Sequence, residues 1–253
     1  SQARKISVIG IFPSEMQVWA AAPKRFTDVK IDFGGEGVEP GYVGVTDQDK
    51  YDDSKGYGFN DIRTAKNVKA SGTGAYSDAV MFNYQDANHI FNVNLENGLY
   101  RITVTTGDVT SLCINAEGVT QISYLTGNCT SESFIVPITD YQLNIYATAG
   151  YPKTEWSLSA MEIERLSVDT TMPSTIYLFG DSTVANYYNI PDSATHGWGQ
   201  VLDKYIDSYV GFEDVKNEKP DPEGLEKTIK ENPSAKIIYT IPNFQNPSAI
   251  TMS

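Results

Sequence analysis

Short segments in which every second residue is apolar dominate the chain between residues 27 and 166. Clear examples are Phe91–Leu95, Tyr100–Val104 and Phe134–Ile138. A period of two is that of a β-strand with one buried and one outward face, and the glycine, asparagine and aspartate residues between the segments favour turns. Many short strands separated by turn residues predict an antiparallel β-sandwich over residues 27–166.

A hairpin is expected between the first two of these segments, where Asn97-Gly98 supplies residues that readily adopt positive φ. Further strands are predicted at Gln142–Tyr146 and Trp156–Glu164. Apolar residues make up 40% of the chain and charged residues 20%. This composition is typical of a folded protein and not of a disordered one.

The balance of charge restricts the partners of the protein. The sequence has 32 acidic and 19 basic side chains, which give a formal net charge of −13. Such a chain is repelled by a phosphate backbone and by an anionic membrane surface, and none of its apolar runs reaches the roughly 18 residues that span a bilayer. We therefore expect no nucleic-acid partner and no membrane partner, while the oligomeric state is left open.

The hydrophobic pattern changes after residues 167–174, which have the composition of a linker. Ile176–Phe179 is a continuous apolar run, as expected for a strand that is buried on both faces. Trp198, Leu202 and Ile206 then recur at helical spacing. This order of elements predicts the beginning of an α/β unit over residues 175–210.

The motif Gly180-Asp181-Ser182-Thr183 follows the predicted strand Ile176–Phe179 directly. Open α/β sheets bind ligands at the carboxyl ends of their strands. A serine at this position can present its hydroxyl group beside free backbone N–H groups, as a nucleophile and an oxyanion site require. Because the same residue types also form ordinary turns, the four residues alone leave a plain β-to-α turn open.

A longer stretch extends this motif. Ile176–Tyr188, followed by Gly197-Trp198-Gly199-Gln200, resembles the first block of the GDS-type (SGNH) esterases, in particular the rhamnogalacturonan acetylesterase-like branch. Several upstream segments resemble the galactose-binding-like sandwich that precedes the esterase domain in bacterial members. They are Lys30–Gly34, Gly56–Phe59, Ser77–Val80, Phe91–Tyr100, Ala116–Gly118 and Leu158–Ile163. The resemblance covers about residues 27–210.

The resemblance implies a secreted bacterial enzyme that removes acetyl groups from pectic polysaccharide, so the expected partner is a polysaccharide or an oligosaccharide. Ser182 would be the nucleophile and its N–H an oxyanion donor, with Asp181, Gly197 and Trp198 shaping the loop. The fold class that follows is mostly β: a galactose-binding-like (jelly-roll) sandwich and then a truncated α/β segment of the flavodoxin-like SGNH type. The alternative is a non-catalytic sandwich that binds carbohydrate or has a structural role.

A serine nucleophile requires a base, normally a histidine that a carboxylate orients. In the resembled family this base belongs to an Asp-x-x-His element near the C-terminus, and no such element follows Val210. The sequence therefore predicts a catalytically incomplete site. The two histidines are His89, which leads into a sandwich strand, and His196, the candidate for a substitute base.

Residues 211–253 resemble an internal piece of the pyridoxal-phosphate aminotransferases, carried by Pro220–Ile229 and Ala235–Pro247. Asn246 would occupy the position of that family's Asn-Pro motif, which approaches the cofactor ring. The change of resemblance predicts a chimeric chain in which two incomplete coding pieces join near residues 210–216. An aminotransferase-derived role for this tail is a remote alternative.

Other clusters in the sequence leave alternatives open. Asp47, Asp49, Asp52 and Asp53 form a polar loop that is either solvated or a calcium site, although the spacing is not that of an EF-hand; no other cofactor is expected. Five tyrosines of the first third of the sandwich have faces that could stack on sugar rings or pack within the strands. They are Tyr42, Tyr51, Tyr57, Tyr76 and Tyr84.

The N-terminal residues and the cysteines also allow two interpretations each. Residues 1–26 are a leader or an arm, because Arg4 and Lys5 precede the apolar run Ile6–Phe12. Cys113 and Cys129 form one bridge or remain two thiols, and they are too few for a disulfide framework.

Overall fold

The computed structural model describes residues 23–83, 90–109, 111–149, 154–166, 174–178, 183–184, 197–206, 210–214, 230 and 237–239. Within them lie fifteen β-strands and two short 3₁₀ helices, Gly74–Tyr76 and Trp198–Tyr205. The strands are β1 (Val29–Phe33), β2 (Val43–Val45), β3 (Tyr57–Phe59), β4 (Lys66–Lys69), β5 (Asp78–Phe82), β6 (Ile90–Asn94), β7 (Gly98–Thr106), β8 (Leu112–Ala116), β9 (Val119–Leu125), β10 (Ser131–Ile138), β11 (Gln142–Ala149), β12 (Trp156–Arg165), β13 (Ser174–Leu178), β14 (Val210–Asp214) and β15 (Ile237–Tyr239).

Two sheets form the sandwich. The first has seven strands, with the order β10-β7-β12-β1-β2 and with β5 and β4 attached beside β12. The second has five strands in the order β3-β6-β11-β8-β9. All pairs are antiparallel except β1 with β2. The mostly β, antiparallel sandwich predicted from alternating residues is thus confirmed.

The core lies between the two sheets and is centred on aromatic rings. Phe59 from the five-stranded sheet lies 5.9 Å from Phe33 and 4.9 Å from Phe82, both of which belong to the seven-stranded sheet. Phe91 is 4.8 Å from Phe59, and Trp156 stacks on Phe82 at 4.6 Å. All five side chains are almost completely buried. Offset and edge-on aromatic pairs of this kind add to the stabilisation that burial itself gives.

The predicted hairpin at Asn97-Gly98 is wrong. The strand before these residues, β6, belongs to the five-stranded sheet, whereas β7 after them belongs to the seven-stranded sheet. The segment is therefore a crossover between sheets. Asn97 holds it by donating to the carbonyl of Thr139 and accepting from the N–H of Tyr141. A Cβ at Gly98 would lie 2.8 Å from Nε of Arg165, so a larger residue there would displace the end of that side chain.

A true two-residue hairpin joins β8 to β9. Glu117 and Gly118 have φ values of 51° and 78°, the positive values that a type I′ turn requires at both central positions. The carboxylate of Glu117 also accepts a hydrogen bond from the N–H of Asn144 at 2.7 Å. This turn sets which residues of β8 and β9 pair with each other, and therefore which of them face away from the core.

The C-terminal strands form a separate parallel sheet with the order β14-β13-β15. β13 confirms the predicted strand near Ile176, and β15 lies within the segment Ala235–Pro247 of the tail. The helical spacing of Trp198 and Leu202 corresponds to the 3₁₀ helix Trp198–Tyr205. Residues 1–22 of the predicted leader or arm (1–26), residues 167–173 of the predicted linker (167–174) and the segment Pro220–Ile229 of the tail lie outside the described residues. The chimeric junction and the aminotransferase resemblance of the tail remain predictions.

Candidate functional site

The two motifs of the esterase resemblance are in direct contact. The N–H of Trp198 donates to the carbonyl of Thr183 at 2.9 Å. A Cβ on Gly199 would lie 2.6 Å from the carbonyl oxygen of Val184, so only glycine lets the two backbones approach this closely. The turn at Gly197-Trp198-Gly199 therefore packs on the residues that immediately follow Ser182 in the sequence.

A buried polar contact joins this turn to the sandwich. Nε2 of Gln200 donates to Oδ1 of Asn115 on β8 at 3.0 Å. The hydroxyl of Thr120 on β9 donates to the same oxygen at 2.8 Å. Gln200 is 2% exposed, Asn115 4% and Thr120 6%. The three side chains satisfy one another where solvent does not reach them.

An apolar cluster surrounds this contact. Ile176 and Leu178 of β13 are buried together with Val184 and with Val119 from the sandwich strand β9. Trp198, Leu202 and Ile206 pack against the cluster with half-buried side chains. The first described elements of the C-terminal region are thus assembled on the β8–β9 hairpin.

Several predicted site residues can now be placed. Gly197 is buried, and its carbonyl accepts the N–H of Gln200 at 3.1 Å. Trp198 is half-buried at the start of the 3₁₀ helix. The predicted catalytic residues Asp181, Ser182 and His196, together with His89 and Asn246, lie outside the described residues.

Sequence reasoning missed the role of Asn115 and Gln200. Gln200 is part of the Gly-Trp-Gly-Gln motif, but nothing in its sequence position indicates that its side chain forms a buried hydrogen bond. Asn115 is an outward residue of an alternating strand, where asparagine is unremarkable. The one available signal was that Gln200 belongs to one segment of the resemblance and Asn115 directly precedes another, Ala116–Gly118.

The carboxylates of the acidic loop have separate hydrogen-bond partners and do not form one cluster. The carboxylate of Asp47 accepts hydrogen bonds from the backbone N–H and from the side-chain amide of Asn67. Asp49 accepts from the N–H and hydroxyl of Thr46, each at 2.8 Å, and from Lys55.

Asp52 accepts from the N–H of Ser54 at 2.7 Å and from its hydroxyl at 2.6 Å. The part of the chain that the structure describes contains no group of three or more His, Cys, Asp or Glu side chains arranged to hold a metal ion. The calcium alternative at Asp47, Asp49 and Asp52 therefore has no assembled ligand set. These carboxylates stabilise the loop.

The hydrogen bonds of this loop lower the pKa values of two of its carboxyl groups. Burial alone would raise the pKa of Asp49, but hydrogen bonds from Lys55 and Thr46 outweigh burial and lower it below 3.8. The hydrogen bonds from Ser54 lower the pKa of the exposed Asp52 in the same way. Both groups are therefore charged at neutral pH.

The predicted tyrosines do not form one platform. Tyr42 lies at the edge of the seven-stranded sheet and donates to Glu162, which also pairs with Lys30 at 3.2 Å. Burial and this hydrogen bond raise the pKa of Tyr42, while the bond lowers the pKa of Glu162.

Tyr51 lies instead on the five-stranded sheet, with its hydroxyl 2.9 Å from Oδ1 of Asn94 and 2.6 Å from Oδ1 of Asp53. Tyr57 of β3 packs at the ring of Phe26, with centroids 6.2 Å apart. The carbonyl of Tyr76 accepts from the thiol of Cys129. Tyr84 lies outside the described residues.

A buried acidic pair lies beside the 34–39 loop. Oδ2 of Asp32 accepts the N–H of Glu39 at 2.8 Å, and Oδ2 of Asp78 accepts the N–H of Glu36 at 2.7 Å. Oδ1 of Asp32, which is 3% exposed, has no hydrogen-bond partner among the described residues. Burial, together with the charges of Asp78 and Glu39, raises the pKa of Asp32.

Cys113 and Cys129 are both unpaired thiols, which decides between the two alternatives for them. Cys113 donates to the carbonyl of Ser123 at 2.8 Å, and burial raises its pKa. Among the described residues, no helix is long and apolar enough to cross a membrane.

Known proteins are similar to this chain over most of its length. The uncharacterized esterase YxiM of Bacillus subtilis (strain 168) is 45% identical to the chain over 194 residues, which are 76% of this chain and 50% of that protein. The crystal structure of protein YXIM from Bacillus subtilis is similar with 43% identity and a TM-score of 0.53, covering 74% of this chain and 54% of that one. The chain thus spans about half the length of these relatives.

A calcium-binding mutant of beta-glucuronidase 2 from Bacteroides uniformis is more distantly similar, with 12% identity and a TM-score of 0.43 over 60% of this chain and 21% of that one. The family model described as beta-agarase/YXIM esterase-like, galactose-binding domain-like matches residues 29–164, which are more than half of the chain. The matched residues include all twelve strands of the sandwich except the last residue of β12. The chain belongs to this beta-agarase/YXIM esterase-like, galactose-binding domain-like family.

Proposed function

We propose that the chain carries the sandwich and the nucleophile segment of a secreted serine esterase of the SGNH type, which removes O-acetyl groups from a pectic polysaccharide. Ser182 is the proposed nucleophile. The sandwich is the proposed carbohydrate-binding part, in keeping with the galactose-binding-like family to which it belongs. The similarity to a protein named an esterase supports the lineage.

The observation that carries the proposal is the order of the C-terminal strands. β13 is first in sequence and lies between β14 and β15, so the chain moves to one side of β13 and then crosses to the other. Such a reversal is a topological switch point, and ligands of open parallel sheets bind outside the carboxyl ends of the strands at this point. Residues 180–183 come one residue after the carboxyl end of β13 in the sequence.

The proposed reaction proceeds in two steps. The hydroxyl of Ser182 attacks the acetyl carbonyl while a base accepts its proton, and backbone N–H groups stabilise the oxyanion. The sugar hydroxyl then leaves with a proton, and acetyl-serine remains. Water attacks this ester, which releases acetate and restores the serine. His196 is the proposed base within this sequence, with Asp181, Gly197 and Trp198 shaping the loop.

Acetate release from acetylated pectin and from a simple aryl acetate tests this function. Because the base of the resembled family is missing from this sequence, release by the unsubstituted chain would mean that another group, with His196 the first candidate, completes the site. Release that is lost in Ser182→Ala supports the proposal, because the variant has no nucleophile. Asn92→Ala is the matched control, since Asn92 lies on β6 and bonds to Asn144 within the sandwich. Its release should equal that of the unsubstituted chain.

Equal release by Ser182→Ala and the unsubstituted chain would contradict Ser182 as the nucleophile. If neither substrate released acetate, the esterase proposal would fail for this chain. Binding to an array of oligosaccharides would then test the sandwich as a non-catalytic carbohydrate-binding module. Loss of release in His196→Gln, with Asn92→Ala unaffected, would identify the base.

A further inference from the structure

The contact between Asn115 and Gln200 differs in kind from the apolar packing around it. Apolar burial holds two surfaces together without fixing their orientation. A hydrogen bond is directional, and a buried polar group that loses its partner is destabilised by its full desolvation penalty. Nε2 of Gln200 and Oδ1 of Asn115 lie 3.0 Å apart with both residues almost fully buried. This contact therefore fixes the orientation of the C-terminal segment on the sandwich.

The orientation of Gln200 is transmitted to the loop after Ser182 by short backbone contacts. The N–H of Gln200 bonds to the carbonyl of Gly197, and the N–H of Trp198 bonds to the carbonyl of Thr183. Gly199 lies against the backbone of Val184. Thr183 is the sequence neighbour of the proposed nucleophile. Three consecutive contacts therefore join a sandwich side chain to the position next to Ser182.

We propose that Asn115 is a positioning residue for the proposed nucleophile loop and acts through Gln200. In this arrangement the sandwich contributes to the esterase site directly, besides binding carbohydrate. The inference rests on the proposed function, in which Ser182 is the nucleophile. A nucleophile that is displaced by a fraction of an ångström to one ångström reacts more slowly even when the substrate still binds.

The chemistry of Asn115 makes this role specific. Its Oδ1 accepts from both Gln200 and Thr120, so an acceptor is what the position supplies. Aspartate in its place retains an acceptor for both donors, whereas alanine retains none. Methionine in place of Gln200 keeps a similar length and removes the donor, without altering any residue of the sandwich.

Hydrogen exchange and esterase kinetics on the full chain test the inference together. The variants are Asn115→Ala, Asn115→Asp and Gln200→Met, with Asn92→Ala as the control on the same outward face of the five-stranded sheet. We expect the Trp198 amide to exchange at least about tenfold faster in Asn115→Ala and Gln200→Met, because its segment is released from the sandwich. Amides of β7 and β12 should keep their protection.

On the aryl acetate, the same two variants should lose about tenfold to a hundredfold in kcat while KM changes less than about twofold. Asn115→Asp should restore part of both readouts, because it keeps the acceptor but buries a carboxylate, and Asn92→Ala should change neither. Equal Trp198 exchange in all variants, or an Asn115→Asp that behaves like Asn115→Ala, would overturn the inference. Absence of acetate release by the unsubstituted chain would contradict the proposed function alone, because exchange still tests the positioning contact.

Discussion

The sandwich and the C-terminal region bury their apolar residues in different ways. In the sandwich, both sheets contribute large side chains such as Phe33, Phe59 and Trp156, all almost fully buried between them. The cluster described in the C-terminal region has four buried members, and one of them, Val119, belongs to the sandwich strand β9. The sandwich supplies its own core, whereas this cluster includes a side chain of its neighbour.

This difference places most of the stability in the sandwich and the proposed nucleophile in the less stable C-terminal region. A core of interdigitated aromatic side chains from two sheets is the main source of the free energy of unfolding. A segment that is held by one small cluster and one buried hydrogen bond opens at a lower free energy. The proposed nucleophile loop therefore depends on the sandwich for its position, and the sandwich need not depend on the loop.

The substitution Phe59→Ala should have the largest effect, because it removes a ring that contacts Phe33, Phe82 and Phe91. Emptying such a site destabilises a protein by about 3–5 kcal/mol. Urea unfolding followed by far-ultraviolet circular dichroism, which reports the β-structure of the sandwich, measures the loss. Since the C-terminal cluster is assembled on the sandwich, it should lose its protection no later than the sandwich unfolds.

Trp198→Ala is the control for this prediction. Trp198 packs on the C-terminal cluster, so its loss should leave the unfolding free energy of the sandwich unchanged. A shift of the sandwich transition in Trp198→Ala as large as that in Phe59→Ala would contradict the proposed one-way dependence.

The substitution Val119→Ala should have an intermediate and local effect. It removes two methyl groups that are buried against Ile176 and Leu178, which lowers the stability of that contact by about 1–2 kcal/mol. Hydrogen exchange should accelerate at β13 and at Trp198–Tyr205, while β7 and β12 remain protected. Uniform acceleration over the whole sandwich would show that the two regions form one cooperative unit.

The sequence alone predicts the sandwich well because alternation is a local property. Strands β6, β7, β10, β11 and β12 begin and end within a few residues of the predicted segments. The pairing of these strands is not local. Asn97-Gly98 has the residues of a hairpin turn, yet its flanking strands join different sheets, and the hydrogen bonds that decide this reach Thr139 and Tyr141.

The site is predictable only in part for the same reason. The two motifs at Gly180–Thr183 and Gly197–Gln200 were visible as a pattern, and their contact through Trp198 is described by the structure. The partner of Gln200 lies 85 positions away in the sequence. No spacing rule relates an outward asparagine of one hairpin to a glutamine in another region.

The third prediction concerns Asp32, a buried carboxylate of β1. Its Oδ1 has no hydrogen-bond partner among the described residues. Burial and the charges of Asp78 and Glu39 raise the pKa of Asp32 above 3.8. The folded protein therefore binds this proton more tightly than the unfolded chain does. The unfolding free energy should increase as the pH falls from neutral through the raised pKa, and this contribution is complete once the pH is below about 3.8.

Asp32→Asn removes the charge and keeps an acceptor for the N–H of Glu39, so it should stabilise the sandwich by about 1 kcal/mol at pH 7. This gain in unfolding free energy should vanish towards pH 4.

Asp49→Asn should instead lower the unfolding free energy at neutral pH, because hydrogen bonds lower the pKa of Asp49 and its charge is stabilising there. Its deficit should shrink as the pH falls below 3.8 through the lowered pKa. Urea unfolding of both variants at several pH values measures the two slopes, and slopes of the same sign would contradict the account of Asp32 as an uncompensated buried charge.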